Sequence, residues 1–160
     1  MVSANGGVAP GRAAALLAGL QAGIAGTVAA LIWLGASSAW QHRSFWTPAN
    51  LMASTFYGDR AIHAGFASST VSGLALYFSL YGVLGACFAA ALAGRATGLR
   101  LLAIGLLFGL AWYLFSFGLV WKRVSPLVTL LHVQKTTMVG HLIYGGIVGR
   151  FEWFVEKGAR

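Results

Sequence analysis

Residues Leu101 to Trp121 read LLAIGLLFGLAWYLFSFGLVW, a stretch without a single charged or histidine side chain. A helix needs about 20 such residues to cross the hydrocarbon of a bilayer, so this segment alone predicts a transmembrane span. Working outward, two more runs have the same character: Ala13 to Ser38 and Ala64 to Gly94. The charged residues fall between them. That segregation follows from the cost of placing Lys, Arg or Asp at the centre of a spanning helix, about 2.5 to 3.5 kcal/mol.

Composition agrees with the runs. Only 9% of the 160 residues are charged and 58% are hydrophobic, whereas a soluble domain carries roughly 25% charged side chains. So few charges cannot cover a water-exposed surface. A fourth span is expected over about 136–154. Its apolar part, Thr136 to Gly149, contains His141 and is bounded by Lys135 and Arg150, and the aromatic end Phe151, Trp153 and Phe154 brings it to spanning length.

The net charge of +8 comes from Lys and Arg scattered in ones and twos at the ends of the runs. With no basic stripe, the excess reads as attraction to lipid head groups, and no nucleic-acid partner is expected. The first run is followed by Ala36-Ser37-Ser38-Ala39, which resembles a signal-peptide cleavage site. The run exceeds the roughly 7 to 15 residues of a signal core, so a retained helix is expected. Six basic residues (Arg12, Arg95, Arg100, Arg150, Lys157, Arg160) face five (Arg43, Arg60, Lys122, Arg123, Lys135) across the four-span arrangement. This narrow bias places both termini in the cytoplasm, and the bacterial inner membrane is the expected location.

Two halves of the chain echo each other. Thr70, Gly73 and Tyr77 have the spacing of Thr137, Gly140 and Tyr144, and Trp46-Thr47-Pro48 has a looser counterpart in Val124-Ser125-Pro126. Positions three, four and seven apart share a helix face. The pattern therefore predicts two parallel helix-pair repeats. The connection 44–57 is rich in Phe45, Trp46, Leu51, Met52 and Phe56 and carries Pro48, with Thr47 as a cap before it, so it is expected to be a short interfacial helix. Residues 125–133 form the corresponding segment.

Each span carries small residues four apart: Gly19 and Gly23, Gly82 and Ala86, Gly105 and Gly109, Gly145 and Gly149. Such pairs let backbones approach closely in lipid, where no hydrophobic drive separates helix from tail. With Gly73 and Gly140 they are the expected helix-packing residues. Trp33, Trp40, Trp121 and Trp153 mark span ends, as in an interfacial belt.

Chemistry is sparse. The acids Asp59, Glu152 and Glu156 all lie outside the runs, which removes a carboxylate proton relay, and the lone Cys87 removes intrachain disulfides and Cys-based metal sites. Histidine is the remaining ligand type. His141 lies within the fourth span, and His132 and His63 fall on the same side, so these three are the candidate residues for a haem or chlorophyll. No cofactor is the leading expectation, because no pair has the i, i+4 spacing of a one-helix site. No catalytic triad or phosphate-binding loop is present, and catalysis has no visible seat.

The reading is an all-α integral membrane protein of one domain over 1–160, a four-transmembrane-helix bundle with spans near 13–38, 67–93, 100–121 and 136–154. The expected function is a non-catalytic structural or accessory subunit whose partners are other membrane subunits and lipid, or further copies of itself. The alternatives are a cofactor-binding electron-transfer or pigment subunit using His141, and a small-solute channel or transporter.

Overall fold

In the computed structural model, which describes residues 11–158, every regular element is helical. The order is α1 (Arg12–Trp40), α2 (Thr47–Tyr57), a 3-10 turn (Gly58–Ala61), α3 (Ser68–Leu92), α4 (Gly98–Phe115), a π turn (Ser116–Val120), α5 (Trp121–Val124), α6 (Pro126–Leu131), α7 (Gln134–Val148) and α8 (Phe151–Gly158). Three helices are long and apolar enough to cross a membrane: α1, α3, and the continuous rod of α4, π turn and α5 over Gly98–Val124.

The expected run 136–154 is not one helix. α7 has 15 residues, about 22 Å at 1.5 Å per residue, short of the roughly 30 Å hydrocarbon. It ends at Gly149, whose backbone (φ −65°, ψ 0°) leaves the helical path, and Arg150 N–H closes the turn onto the Ile147 carbonyl at 2.9 Å. The change of direction buries Phe151 completely, edge-on to Phe88 with ring centroids 6.3 Å apart. α8 then packs along α1. Hydrophobic burial of Phe151 thus favours the bend over a longer straight helix.

α1 is the hub, contacting α2, α3, α7 and α8, while α4 packs on α7. Glycine sets both close seams. A Cβ on Gly23 would lie 2.6 Å from the Tyr81 carbonyl oxygen, and one on Gly19 2.5 Å from that of Gly85. On the other seam, Cβ atoms on Gly105 and Gly109 would run into the carbonyls of Gly145 and His141, and one on Gly149 would lie 3.0 Å from the Leu101 carbonyl oxygen. The neighbours are backbone, so no side-chain rotation relieves the contact. Gly73 closes a third approach, onto the Ala49 carbonyl of α2. Gly82 and Gly140 are looser: a Cβ there would meet the side chains of Leu20 and Leu34 at 3.0 and 3.5 Å.

The echoed triplets have different surroundings: Gly73 meets α2 whereas Gly140 meets α1, and Tyr77 is half-buried whereas Tyr144 is fully buried. Thr47 is not the cap of α2. Trp46 holds that position, with no side-chain hydrogen bond, and Pro48 falls in the first turn as expected. The α2–α3 corner is instead fixed by Asn50. Its amide donates to the carbonyls of Ala64 (2.6 Å) and Gly65 (3.0 Å), and its oxygen accepts from Thr70 Oγ1 (2.6 Å).

Candidate functional site

The polar side chains inside the bundle converge on Tyr81 and His141, one turn apart from the glycine seams on α3 and α7. His141 Nδ1 lies 2.8 Å from the Thr137 carbonyl, which only accepts, so Nδ1 carries a proton. In the neutral ring Nε2 is then the acceptor, and the Tyr81 hydroxyl donates to it at 2.9 Å. Tyr144 donates its hydroxyl to the Tyr81 backbone carbonyl at 2.7 Å, although its own position is 63 residues away in the chain. Tyr144 also stands edge-on to Tyr81 at 4.9 Å, and Tyr77 stacks on Tyr81 at 5.7 Å. Thr27 satisfies itself against the Gly23 carbonyl at 2.7 Å. The Trp112 indole N–H lies beside Tyr81 but is buried outside hydrogen-bond geometry.

The π turn shapes the neighbouring wall. Widening one helical turn inserts a residue and changes which side chains face inward. Here it leaves Ser116 fully buried, its hydroxyl donating to the Tyr113 carbonyl at 3.2 Å, and places Phe117 between two histidines. Phe117 stacks on His132 at 4.1 Å and stands edge-on to His141 at 5.9 Å. His132 Nδ1 donates to the Thr129 carbonyl at 2.6 Å.

The structure therefore brings His132 and His141 against one phenyl ring, whereas His63 is exposed in the turn before α3 and lines neither of the two chambers beside them. Among the described residues no three His, Cys, Asp or Glu side chains are grouped as metal ligands. A haem or chlorophyll ligand needs a free ring nitrogen. Both nitrogens of His141 are engaged within the chain, and the chamber beside it, about 30 Å³, is far smaller than a tetrapyrrole. As packed in the bundle, His141 offers no ring nitrogen to such a group.

Two partly open chambers lie here, one deeper along the bundle and one toward the end that carries the α1–α2 and α6–α7 connections. The inner, bordered by Thr27, Leu31, Trp121, Gly140 and His141, has a volume of about 30 Å³. The outer, about 50 Å³, is bordered by Ser37, Ser38, Arg43, Thr47, His132 and Thr136. Leu34, Met52, Tyr77, Phe117 and Thr137 line both. The end is tied together by Trp33 Nε1, which donates to the Thr136 carbonyl at 3.0 Å. Sequence reasoning singled out His132 and His141 as candidate ligands, counted Arg43 only toward topology, and assigned neither Tyr81 nor Phe117 to a site. Only the one-turn spacing of Tyr77 and Tyr81 could have drawn attention to that helix face. No known protein family, curated protein or solved structure matches this chain.

Proposed function

We propose that this chain is a non-catalytic structural or accessory subunit of an integral membrane complex, embedded through four crossings in which α7 and α8 supply the fourth. On this reading the pairs α1–α3 and α4–α7 are parallel repeats. Their support is the matching use of glycine: Gly19 and Gly23 sit on the carbonyls of Gly85 and Tyr81, as Gly105 and Gly109 sit on those of Gly145 and His141. The proposed location is a bacterial inner membrane with both termini cytoplasmic.

The observation that carries the subunit role is on the outside of α3. The glycine seams are used up within the chain, yet Ala75, Ser79, Val83, Cys87 and Ala91, each four residues from the next, form an exposed stripe. Ser79 lies at the middle of α3, and its hydroxyl makes no hydrogen bond among the described residues. Gln21, also exposed and without such a bond, projects from α1 on the flank where Leu20 and Ile24 meet Gly82. In hydrocarbon a polar group gains from a partner across a helix interface, by about 0.6 to 2 kcal/mol, and small residues let that helix come close. The occupant this face suits is a transmembrane helix of another subunit that offers hydrogen-bonding groups to Ser79 and Gln21.

Extraction in a gentle detergent at native expression tests the role. A stoichiometric complex with a second membrane polypeptide, lost in a Val83→Trp variant that still folds, is the expected result. A lone monomer, or a complex indifferent to that substitution, overturns it.

A further inference from the structure

We infer that the angle between α7 and α8 is a binding site for an anionic phospholipid, with the phosphate at Arg150 and one acyl chain lying along Gly146. Leu142, Ile143, Gly146 and Ile147 are half-buried on the outer side of α7, and Arg150 continues their line at the spacing of one helical turn. The turn at Gly149 then sends α8 off the α7 axis, so Trp153 and Phe154 form a second wall instead of prolonging the first. Between the walls is an open groove of about 490 Å³, against about 50 and 30 Å³ for the chambers near His141. Small-molecule sites occupy roughly 300 to 1,000 Å³. Gly146 keeps the groove clear, because a Cβ there would meet only the end of Leu106, at 3.5 Å, and a longer side chain would project into the hollow.

The charge of the ligand follows from the rim. Arg150 is exposed, and its side chain forms no ion pair or hydrogen bond among the described residues. No Asp or Glu lines the groove. Glu152 and Glu156 line a separate hollow with Leu99 and Leu102, on the α4 side of α8, and Arg150 stands between the two. A guanidinium fork recognises phosphate oxygens, and a basic residue at a bilayer surface attracts anionic head groups. Away from Arg150 the walls are apolar, with Trp153 at the rim where indoles meet head groups. Such walls offer nothing to a free anion but accept hydrocarbon.

The length of the groove matches one leaflet. Leu142 lies eight residues before Arg150, about 12 Å along the helix axis at 1.5 Å per residue. Half of the roughly 30 Å hydrocarbon is about 15 Å. A head held at Arg150 therefore lays its chain against Gly146 and Leu142 without crossing the midplane. The second chain of the phospholipid stays in the bilayer, because the groove is open on its outer side. This site lies on α7 and α8, apart from the α3 stripe, and does not rest on the subunit role.

Trp153 provides the readout, because it lines the groove and bromine on an acyl chain quenches indole fluorescence at contact. The protein is reconstituted in phosphatidylcholine vesicles that carry a low fraction of phosphatidylglycerol or phosphatidylcholine brominated on the upper part of one chain. A Trp153→Phe variant gives the signal of the other tryptophans, of which Trp33 and Trp40 are exposed toward the opposite end of α7. Trp153 is expected to select phosphatidylglycerol about fivefold, and the others to show no preference. Arg150→Gln brings the ratio to about one, and Gly146→Leu, which fills the groove, lowers it with the charge intact. Equal quenching of Trp153 by the two lipids overturns the inference. So does the same preference at the other tryptophans, which is diffuse attraction to a chain of net charge +8, or shielding of Trp153 from both lipids, which is a protein partner in the groove. Mass spectrometry of the wild-type protein released from detergent needs no variant: one retained phosphatidylglycerol in preference to phosphatidylcholine supports the site, and indifference overturns it.

Discussion

Gly109 offers the sharpest test of how the bundle is held. Replacing it with Ala drives a Cβ into the His141 carbonyl of α7 and to 3.1 Å from the Gly145 Cα. In an isolated helix the same change gains about 0.8 to 1 kcal/mol of propensity. At this seam the added methyl overpacks a backbone contact, which costs typically about 1 to 3 kcal/mol, and the upper end applies because no rotamer relieves it. The expected net loss is about 2 kcal/mol. Gly146 is the control: it lies on the same helix pair, but its Cβ meets only the flexible end of Leu106 at 3.5 Å. Gly146→Ala should be neutral or gain up to about 1 kcal/mol. Unfolding in mixed micelles by added SDS, followed by tryptophan fluorescence and helical ellipticity, measures both. If Gly109→Ala is as stable as Gly146→Ala, the α4–α7 seam is not set by glycine and the packing argument fails.

Other substitutions probe separate parts of the fold. Tyr81→Phe removes the donor to His141 Nε2; a loss of about 1 to 3 kcal/mol is expected, with a shifted Nε2 resonance in ¹⁵N spectra, and an unmoved resonance refutes the bond. Asn50→Leu strands the Ala64 carbonyl, whereas the Thr70 hydroxyl keeps the Gly65 carbonyl and the Ala67 N–H, so a loss of about 1 to 3 kcal/mol should accompany faster proteolysis between residues 58 and 67. Phe151→Ala empties a fully buried site and should cost about 3 to 5 kcal/mol, with hydrogen exchange rising first in α8. Uniform exchange across the chain would show that α8 does not open separately.

The long apolar helices were legible because local properties decide them. Charge-free runs gave α1, α3 and the rod from Gly98 to Val124, and Pro48 and Pro126 marked the starts of α2 and α6 within a residue or two. The bend at Gly149 was not legible. Its cause is the burial of Phe151 against Phe88, a contact between residues far apart in the chain. The π turn escaped for a related reason, since residues 116–120 have an ordinary helical composition and no sequence mark of a widened turn. The histidines were half legible: side and depth put His132 and His141 near one another, but the same logic included His63, which the turn before α3 leaves outside. Tyr81 and His141 are 60 residues apart, and their meeting depends on two glycine seams being in register at once.

The hub position of α1 has a consequence for biogenesis. α1 is synthesised before every helix it packs against, and its partner α7 begins more than ninety residues after it ends. While the ribosome is still making that interval, the groove at Gly26 that Tyr144 will fill stands open to lipid or to the insertion machinery. α1 and α3 can join as a first hairpin, but the bundle closes only after α7 emerges. A chain stalled before Gln134 therefore presents an unfilled α1 face, the kind of surface by which membrane proteases and insertases distinguish an unfinished polypeptide from a completed one.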